Sequence, residues 1–154
     1  MTLYVAALLI GVIAGLRTMT ALAAVSWAAR LGALGVGGTW LAFLGYKYTP
    51  WILTAAALAE LVTDQLPATP SRTVPVQFGA RILTGALSGA AVGTTAGSWP
   101  IGAAVGAVGA IMGTLGGAAL RSRGASAFHK DRPAALLEDV VAIGGASAIV
   151  SLLG

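Results

Sequence analysis

Long apolar stretches with very few charges are the feature that most constrains this chain. Of its 154 residues, 57% are hydrophobic and 9% are charged, whereas soluble domains carry about a quarter charged residues. A helix needs about 20 mainly apolar residues to cross a bilayer. The stretches that fit this length are Leu3–Ala29, Pro50–Leu66, Val76–Ala96, Ile101–Leu120 and Pro133–Leu153. The sequence therefore predicts an all-α, polytopic membrane helix bundle in one domain, with about five transmembrane helices.

Two stretches depart from a simple span. Leu3–Ala29 is long enough to tilt or break, and Gly11, Gly15 and Arg17 mark where a break would fall. Residues 31–48 contain an apolar centre preceded by four glycines. We interpret 31–48 as a loop with a short interfacial or re-entrant helix rather than a sixth span.

Basic and aromatic residues predict the orientation of five spans. One side carries most of the basic residues, which are Arg72, Arg81, Arg121, Arg123, Lys130 and Arg132. The other side carries Arg30 and Lys47. It also carries the aromatic residues Trp27, Trp40, Tyr46, Tyr48, Trp51 and Trp99. The positive-inside rule and the interfacial preference of Trp and Tyr both predict a cytoplasmic N-terminus and an external C-terminus.

Several function classes are excluded by residue content. The chain has no cysteine, which excludes disulfides and thiol chemistry, and one histidine, His129, which excludes a multi-histidine metal site. No phosphate-binding loop or dinucleotide fingerprint is present. We predict no catalytic site, no metal and no cofactor. The net charge of +4 is expected to meet anionic lipid headgroups on the cytoplasmic side rather than nucleic acid.

Glycines spaced four residues apart predict close helix packing, because they share one helix face and lack side chains. These glycines are Gly11, Gly15, Gly85, Gly89, Gly93, Gly102, Gly106, Gly109, Gly113 and Gly117. Two uses are open. They pack helices inside the bundle, or they form the face of a homodimer or of a contact with another membrane subunit.

Four charges in or beside the apolar stretches are the candidate site: Arg17, Glu60, Asp64 and Arg81. A charge at bilayer depth costs a few kcal/mol on insertion scales, so it usually faces a partner, a cavity or a pathway. Glu60 and Asp64 share one helix face, and we expect an Arg17–Glu60 ion pair. Either the pair locks the helices together, or the group forms an ion, proton or charged-substrate pathway with Asp64 and Arg81 at its cytoplasmic mouth.

A second group of charges is predicted at the cytoplasmic helix ends. It contains Arg121, Arg123, His129, Lys130, Arg132, Glu138 and Asp139. The basic members orient the protein and contact anionic lipid. The two acids fall in the first turns of the last helix, where a negative charge interacts favourably with the positive end of the helix dipole. Pairing of these acids with Arg121, Arg123 or Arg81 is the alternative.

Short internal similarities leave two readings open, an internal duplication or chance matches in a sequence rich in Gly and Ala. Gly15-Leu16-Arg17 with Thr20 resembles Gly79-Ala80-Arg81 with Thr84, and Leu58–Val62 resembles Leu137–Val141. The halves would be 1–75 and 76–154. They become three-plus-three inverted repeats, a plan used by many transporters, if 31–48 enters the membrane.

Five segments together resemble a family of small bacterial inner-membrane proteins catalogued as domain of unknown function 4126. The segments are Gly15–Thr18, Leu58–Pro67, Thr69–Arg72, Ala80–Ala86 and Leu136–Asp139. The family usually has Lys where this chain has Gln65. The resemblance implies a multi-pass inner-membrane protein and no particular activity.

The charges lead to two main functional hypotheses. A small transporter or channel-like protein of unknown substrate is the first. A non-catalytic scaffold or accessory subunit is the second. An intramembrane lipid-modifying enzyme is a distant third, because Glu138, Asp139 and His129 do not form a catalytic cluster.

Overall fold

The computed structural model describes residues 2–66, 74–128 and 132–154, and these form helices joined by turns. The α-helices are α1 (Leu3–Leu16), α2 (Thr18–Arg30), α3 (Thr49–Thr63), α4 (Pro75–Thr95), α5 (Trp99–Phe128) and α6 (Arg132–Leu153). The prediction of an all-α fold is confirmed. Arg72, His129 and Lys130, which were predicted to orient the protein or contact lipid, lie outside the described residues.

Proline and glycine set several helix boundaries. Pro50 and Pro75 stand in the first turns of α3 and α4, where the missing N–H would have no partner within the helix. After α4 the chain turns through Gly97, whose φ is +85°. Residues other than glycine disfavour this left-handed backbone conformation. The chain then re-enters helix at Trp99.

The predicted first span, Leu3–Ala29, is not one helix. Arg17 has an extended backbone, with φ −140° and ψ 106°, and separates α1 from α2. Its N–H still donates to the Ile13 carbonyl at 2.7 Å, which completes α1. The break therefore falls at Arg17, one of the three residues that the sequence predicted as marking it.

The chain also reverses direction at this break. Gly11 of α1 lies against Gly106 of α5 and Gly15 lies against Ala110, so α1 and α5 run parallel. Gly85 meets Gly106 and Gly93 meets Gly102, so α4 runs antiparallel to both.

Helix α2 then runs alongside α4 in the same direction. It begins next to the end of α1, where Arg81 from the first half of α4 donates to the Gly15 carbonyl. The turn that follows α2 lies at the end of α4, where the Gly35 N–H donates to Thr95 Oγ1 at 3.0 Å. Because α2 is parallel to α4, it is antiparallel to α1. Successive helices of the described chain alternate in direction.

This path corrects the predicted topology. Five spans would place Leu3 and Leu153 at opposite ends of the bundle, with the N-terminus alone on the basic side. In the structure Leu3 lies at the end where α5 begins, and Gly154, which follows Leu153, lies beside Ala33 at that same end. The sequence did not reveal the reversal, because α2, although less apolar than α1, was read as the continuation of the same span.

Aromatic residues gather at the end of the bundle that carries both termini, which we name the aromatic end. The rings of Trp27 and Trp51 meet edge to face with centroids 5.0 Å apart, and those of Trp40 and Trp99 do so at 5.4 Å. Residues 31–48 form a loop there with a short 3-10 helix, Ala42–Gly45, as predicted. A helical hairpin is formed by α1 and α2 instead. Whether 31–48 enters a bilayer stays open.

Glycines allow α1, α4 and α5 to pack with their backbones in contact. A Cβ placed on Gly106 would lie 2.9 Å from the Gly89 Cα, and one placed on Gly102 would lie 2.9 Å from the Gly93 nitrogen. The interpretation that the glycine rows serve internal packing is therefore supported. Gly117 is buried as well.

Length and composition mark two helices as candidate membrane spans among the described residues. They are Trp99–Gly124 within α5 and Pro133–Leu153 within α6. Helices α1 and α3 are apolar but have 14 and 15 residues, which corresponds to about 21–23 Å. A bilayer core is about 30 Å thick. The two long helices indicate membrane association by length and composition only.

We expect Gly106→Ala to destabilise the protein by about 1–3 kcal/mol, because the new methyl group would overlap the backbone of α4. The matched control is Gly116→Ala on the same helix, where nothing lies within 4 Å. That change should leave stability unchanged or raise it by up to about 1 kcal/mol. Thermal unfolding in detergent measures both. Equal stability of the two variants would contradict the packing.

Candidate functional site: charged groups at a helix break

Arg17 is completely buried at the tip of the α1–α2 hairpin, with a relative exposure of 0%. Its Nη1 donates to Asp64 Oδ2 and its Nη2 donates to Asp139 Oδ1. Asp64 is the C-cap of α3, and Asp139 lies in the second turn of α6. One guanidinium therefore ties together α3, α6 and the hairpin.

Glu60 caps the N-terminus of α2. Its Oε1 accepts the Thr18 N–H at 2.9 Å, and its Oε2 accepts the Met19 N–H at 2.8 Å. The first N–H groups of a helix have no partner within it and carry a positive partial charge. A carboxylate from α3 thus satisfies two of these donors and complements the helix dipole.

Arg81 caps the C-terminus of α1 with a positive charge, opposite to that of Glu60. Its Nη1 donates to the carbonyls of Gly15 at 2.8 Å and Leu16 at 2.9 Å. Thr114 of α5 also donates from Oγ1 to the Gly15 carbonyl at 3.3 Å. The last carbonyls of a helix carry a negative partial charge, so the guanidinium from α4 neutralises this end.

We name Arg17, Glu60, Asp64, Arg81 and Asp139 the charge cluster. It joins residues from α3, α4 and α6 around the junction of α1 and α2. Three carboxylates meet two guanidinium groups, so the cluster carries one excess negative charge when all five side chains are ionised.

The predicted Arg17–Glu60 ion pair is wrong. Arg17 pairs with Asp64 and Asp139, whereas Glu60 accepts backbone N–H groups of α2. The pair was inferred from depth along two straight spans. Because the chain reverses at Arg17, Glu60 faces the start of α2.

Asp139 is the residue whose role the sequence reading missed. It was assigned to the dipole of α6, with Arg121, Arg123 or Arg81 as alternative partners, but its side chain is buried against Arg17. A signal for this existed. The buried residues of α6 recur at helical spacing, and Asp139 interrupts the row formed by Ala135, Ala142, Ala146 and Ile149. An acid within a buried apolar row requires a partner.

An open cleft of about 540 Å³ adjoins the charge cluster between the starts of α2 and α4 and the last turns of α3. Its lining residues are Thr18, Met19, Ala56, Ala59, Glu60, Thr63, Asp64, Leu66, Gln77 and Ala80. Among the described residues, the lining contains two carboxylates and no basic side chain. Both carboxylates of the cleft belong to the charge cluster.

The remaining predicted site residues lie apart from the cluster or beyond the described structure. Arg121 is half-buried and Arg123 is exposed on the part of α5 that continues past the cluster. Glu138 is half-buried beside Asp139. Arg132 is the first residue of α6. His129 and Lys130 precede it, outside the described residues.

Neither a search for metal ligands nor comparison with known proteins assigns a further role to these residues. Within residues 2–66, 74–128 and 132–154, no group of three or more His, Cys, Asp or Glu side chains is arranged to hold a metal ion. No protein-family model, curated protein or solved structure matches the chain. Membership of the family that the sequence resembles therefore stays a prediction.

We expect Arg17→Gln to destabilise the protein by about 3–5 kcal/mol, because it leaves the buried carboxylate of Asp139 and the half-buried carboxylate of Asp64 without their cation. Arg123→Gln is the matched control, since Arg123 is exposed on α5, and should change stability little. Chemical or thermal unfolding in detergent measures both. An Arg17→Gln variant as stable as the control would contradict the role of Arg17.

We expect Glu60→Ala to speed hydrogen exchange at the Thr18 and Met19 amides, because both lose their acceptor. Stability should fall by about 1–3 kcal/mol. Leu58→Ala on the same helix is the control, since Leu58 is 59% exposed. Exchange measured by mass spectrometry would refute the cap if the α2 start were equally protected in both variants.

Proposed function

We propose that the protein is a polytopic bacterial inner-membrane protein of transporter or channel type, which moves a small cation along a path through the charge cluster. The observation that carries this proposal is the broken hairpin. Its two half-helix ends meet opposite charges, Arg81 and Glu60, beside an open cleft. Discontinuous helices of this kind form the ion and substrate sites of many secondary transporters.

The apolar surface supports placement in a bilayer. On α6 the side chains of Leu136, Leu137, Val140 and Val141 are each more than half exposed. A contiguous apolar face of this kind is rare on a soluble monomer, and lipid would cover it. In a bilayer α1 and α2 would form a re-entrant hairpin, with Arg17 at a depth of about 21 Å from the aromatic end.

Charge favours a cation as the transported species. The charge cluster has one more carboxylate than guanidinium groups, and the described lining of the cleft presents Glu60 and Asp64 without a basic side chain. An excess of negative charge on half-buried carboxylates attracts protons and metal or organic cations. The chemistry therefore supports a cation in preference to an anion.

The positive-inside rule supports a cytoplasmic location for the end opposite the aromatic end. Arg121 and Arg123 lie on the part of α5 that extends past the cluster, and the neighbouring stretches of the sequence add three basic residues, Arg72, Lys130 and Arg132. This orientation puts the aromatic end and both termini on the outer side. It replaces the cytoplasmic N-terminus that five spans predict.

A scaffold or accessory subunit is the second candidate, and the burial of Arg17 favours it. The guanidinium is fully buried and already bonded to two carboxylates. A purely structural role, in which the ion pairs fix the positions of the helices, is sufficient for such a group, because buried ion pairs occur in proteins without any further role. The two candidates differ in whether removal of a cleft carboxylate changes flux or only stability.

We expect the purified protein in proteoliposomes to conduct H⁺, Na⁺, K⁺ or a small organic amine above the rate of empty vesicles. Asp64→Asn should lower that flux at least about tenfold, because it removes a carboxylate of the cleft. Vesicles with internal pH-sensitive and cation-sensitive dyes report the rates.

Arg123→Gln, outside the cluster, is the control and should conduct at the native rate. A native protein without flux of any of these cations would refute the transport proposal. Flux that Asp64→Asn leaves unchanged would refute the path through the cluster. Reduced stability of Asp64→Asn combined with no native flux would favour the scaffold.

A further inference from the structure

Helix α3 is attached to the rest of the bundle more weakly than its neighbours. Two of its 15 residues, Pro50 and Ala57, are buried, whereas seven of the 14 residues of α1 are. Its main packing partners are α2 and the 3-10 helix Ala42–Gly45. Few buried apolar contacts mark an element that opens at low free-energy cost.

The two ends of α3 are held by different kinds of interaction. At the aromatic end, Trp51 packs edge to face on Trp27, and the Trp27 Nε1 donates to Thr54 Oγ1 at 3.0 Å. At the other end, Glu60 and Asp64 bind α2 and Arg17 through their negative charge. Only the second attachment depends on ionisation.

We propose that α3 is a gate. It pivots about its aromatic end, and its other end separates from α2 when Glu60 and Asp64 become protonated. The cleft lies at this moving end, and its far wall includes Gln77 and Ala80 of α4. Movement of α3 would widen the cleft and uncover the start of α2. The inference deepens the proposed transport and rests on it for its purpose.

The pairing of Arg17 makes this opening feasible. Arg17 is bonded to two carboxylates on different helices. When Asp64 is protonated and leaves, Asp139 of α6 remains beside the guanidinium. The departure of α3 therefore does not strand a buried cation, which would cost several kcal/mol. Two acids on one arginine allow one of them to move.

The surrounding charges act on Glu60 and Asp64 from three elements. Arg17 stands at the α1–α2 junction, Arg81 on α4, and Glu138 and Asp139 on α6. Within the part of the chain that the structure describes, the other ionisable groups next to α3 are Arg30, Tyr46, Lys47 and Tyr48. They lie at the aromatic end, about 18 Å away by the rise of α2, so they do not compete for the two carboxylates.

The absence of cysteine from the chain permits a direct test with single reporter cysteines. Ala57→Cys places the reporter on the buried face of α3, where exposure is 8%. The reporter is compared in the native background and in Glu60→Gln/Asp64→Asn, which imitates the protonated pair. At one fixed neutral pH, in lipid, we expect the double variant to raise the maleimide labelling rate at least about tenfold.

Two further reporters control the result. Ala146→Cys in the core of α6, at 0% exposure, reports general loosening and should stay unlabelled. Leu58→Cys, at 59% exposure on α3, gives the rate of an open site. A rise at Ala57 without a rise at Ala146 supports the gate. An unchanged Ala57, or equal rises at Ala57 and Ala146, overturns it.

A second measurement avoids the double variant. In the native background, the labelling rate of Ala57→Cys divided by that of Leu58→Cys should increase on acidification. The ratio corrects for the effect that the bulk pH has on the ionisation of any thiol. A constant ratio overturns the gate even where cation flux is observed, and a rising ratio without flux leaves the gate standing while refuting transport.

Discussion

The reversal of the backbone at Arg17 is the constraint on which the rest of the structure depends. A helix that stops inside an apolar bundle exposes carbonyls at its end, and the next helix exposes N–H groups at its start. Without water these groups require partners from the protein. Arg81 supplies the donors and Glu60 the acceptors, so α4 and α3 must come together at this level.

The break also determines which parts of the molecule are rigid. Helices α1, α4 and α5 meet through backbones at glycine positions such as Gly11, Gly89 and Gly106, which leaves little room for displacement. On the other side of the hairpin, α3 is held by an aromatic pair and by carboxylates. A tightly packed trio therefore carries one half-helix end, and an element attached by charge covers the other.

Much of this fold follows from sequence pattern alone. Apolar stretches of helix length predicted α3, α4, α5 and α6, Pro50 marked the start of α3, and Arg17 was one of three residues that marked the break in the first stretch. The direction of the chain after the break did not follow, because Leu3–Leu16 and Thr18–Arg30 carry no signal that distinguishes a continued span from a hairpin. The partners of Arg17 could not be assigned without that direction. Asp139 was the exception, since its place in a row of buried alanines was readable.

The two carboxylates of Arg17 have a consequence for the synthesis of the protein. Asp64 follows Arg17 by 47 residues and Asp139 follows it by 122. A nascent chain that has released α3 already contains a counterion for Arg17, long before α6 leaves the ribosome. The hairpin can therefore form with its arginine neutralised by Asp64, and Asp139 completes the site last. Premature termination before α6 would leave a chain with its most costly charge already paired.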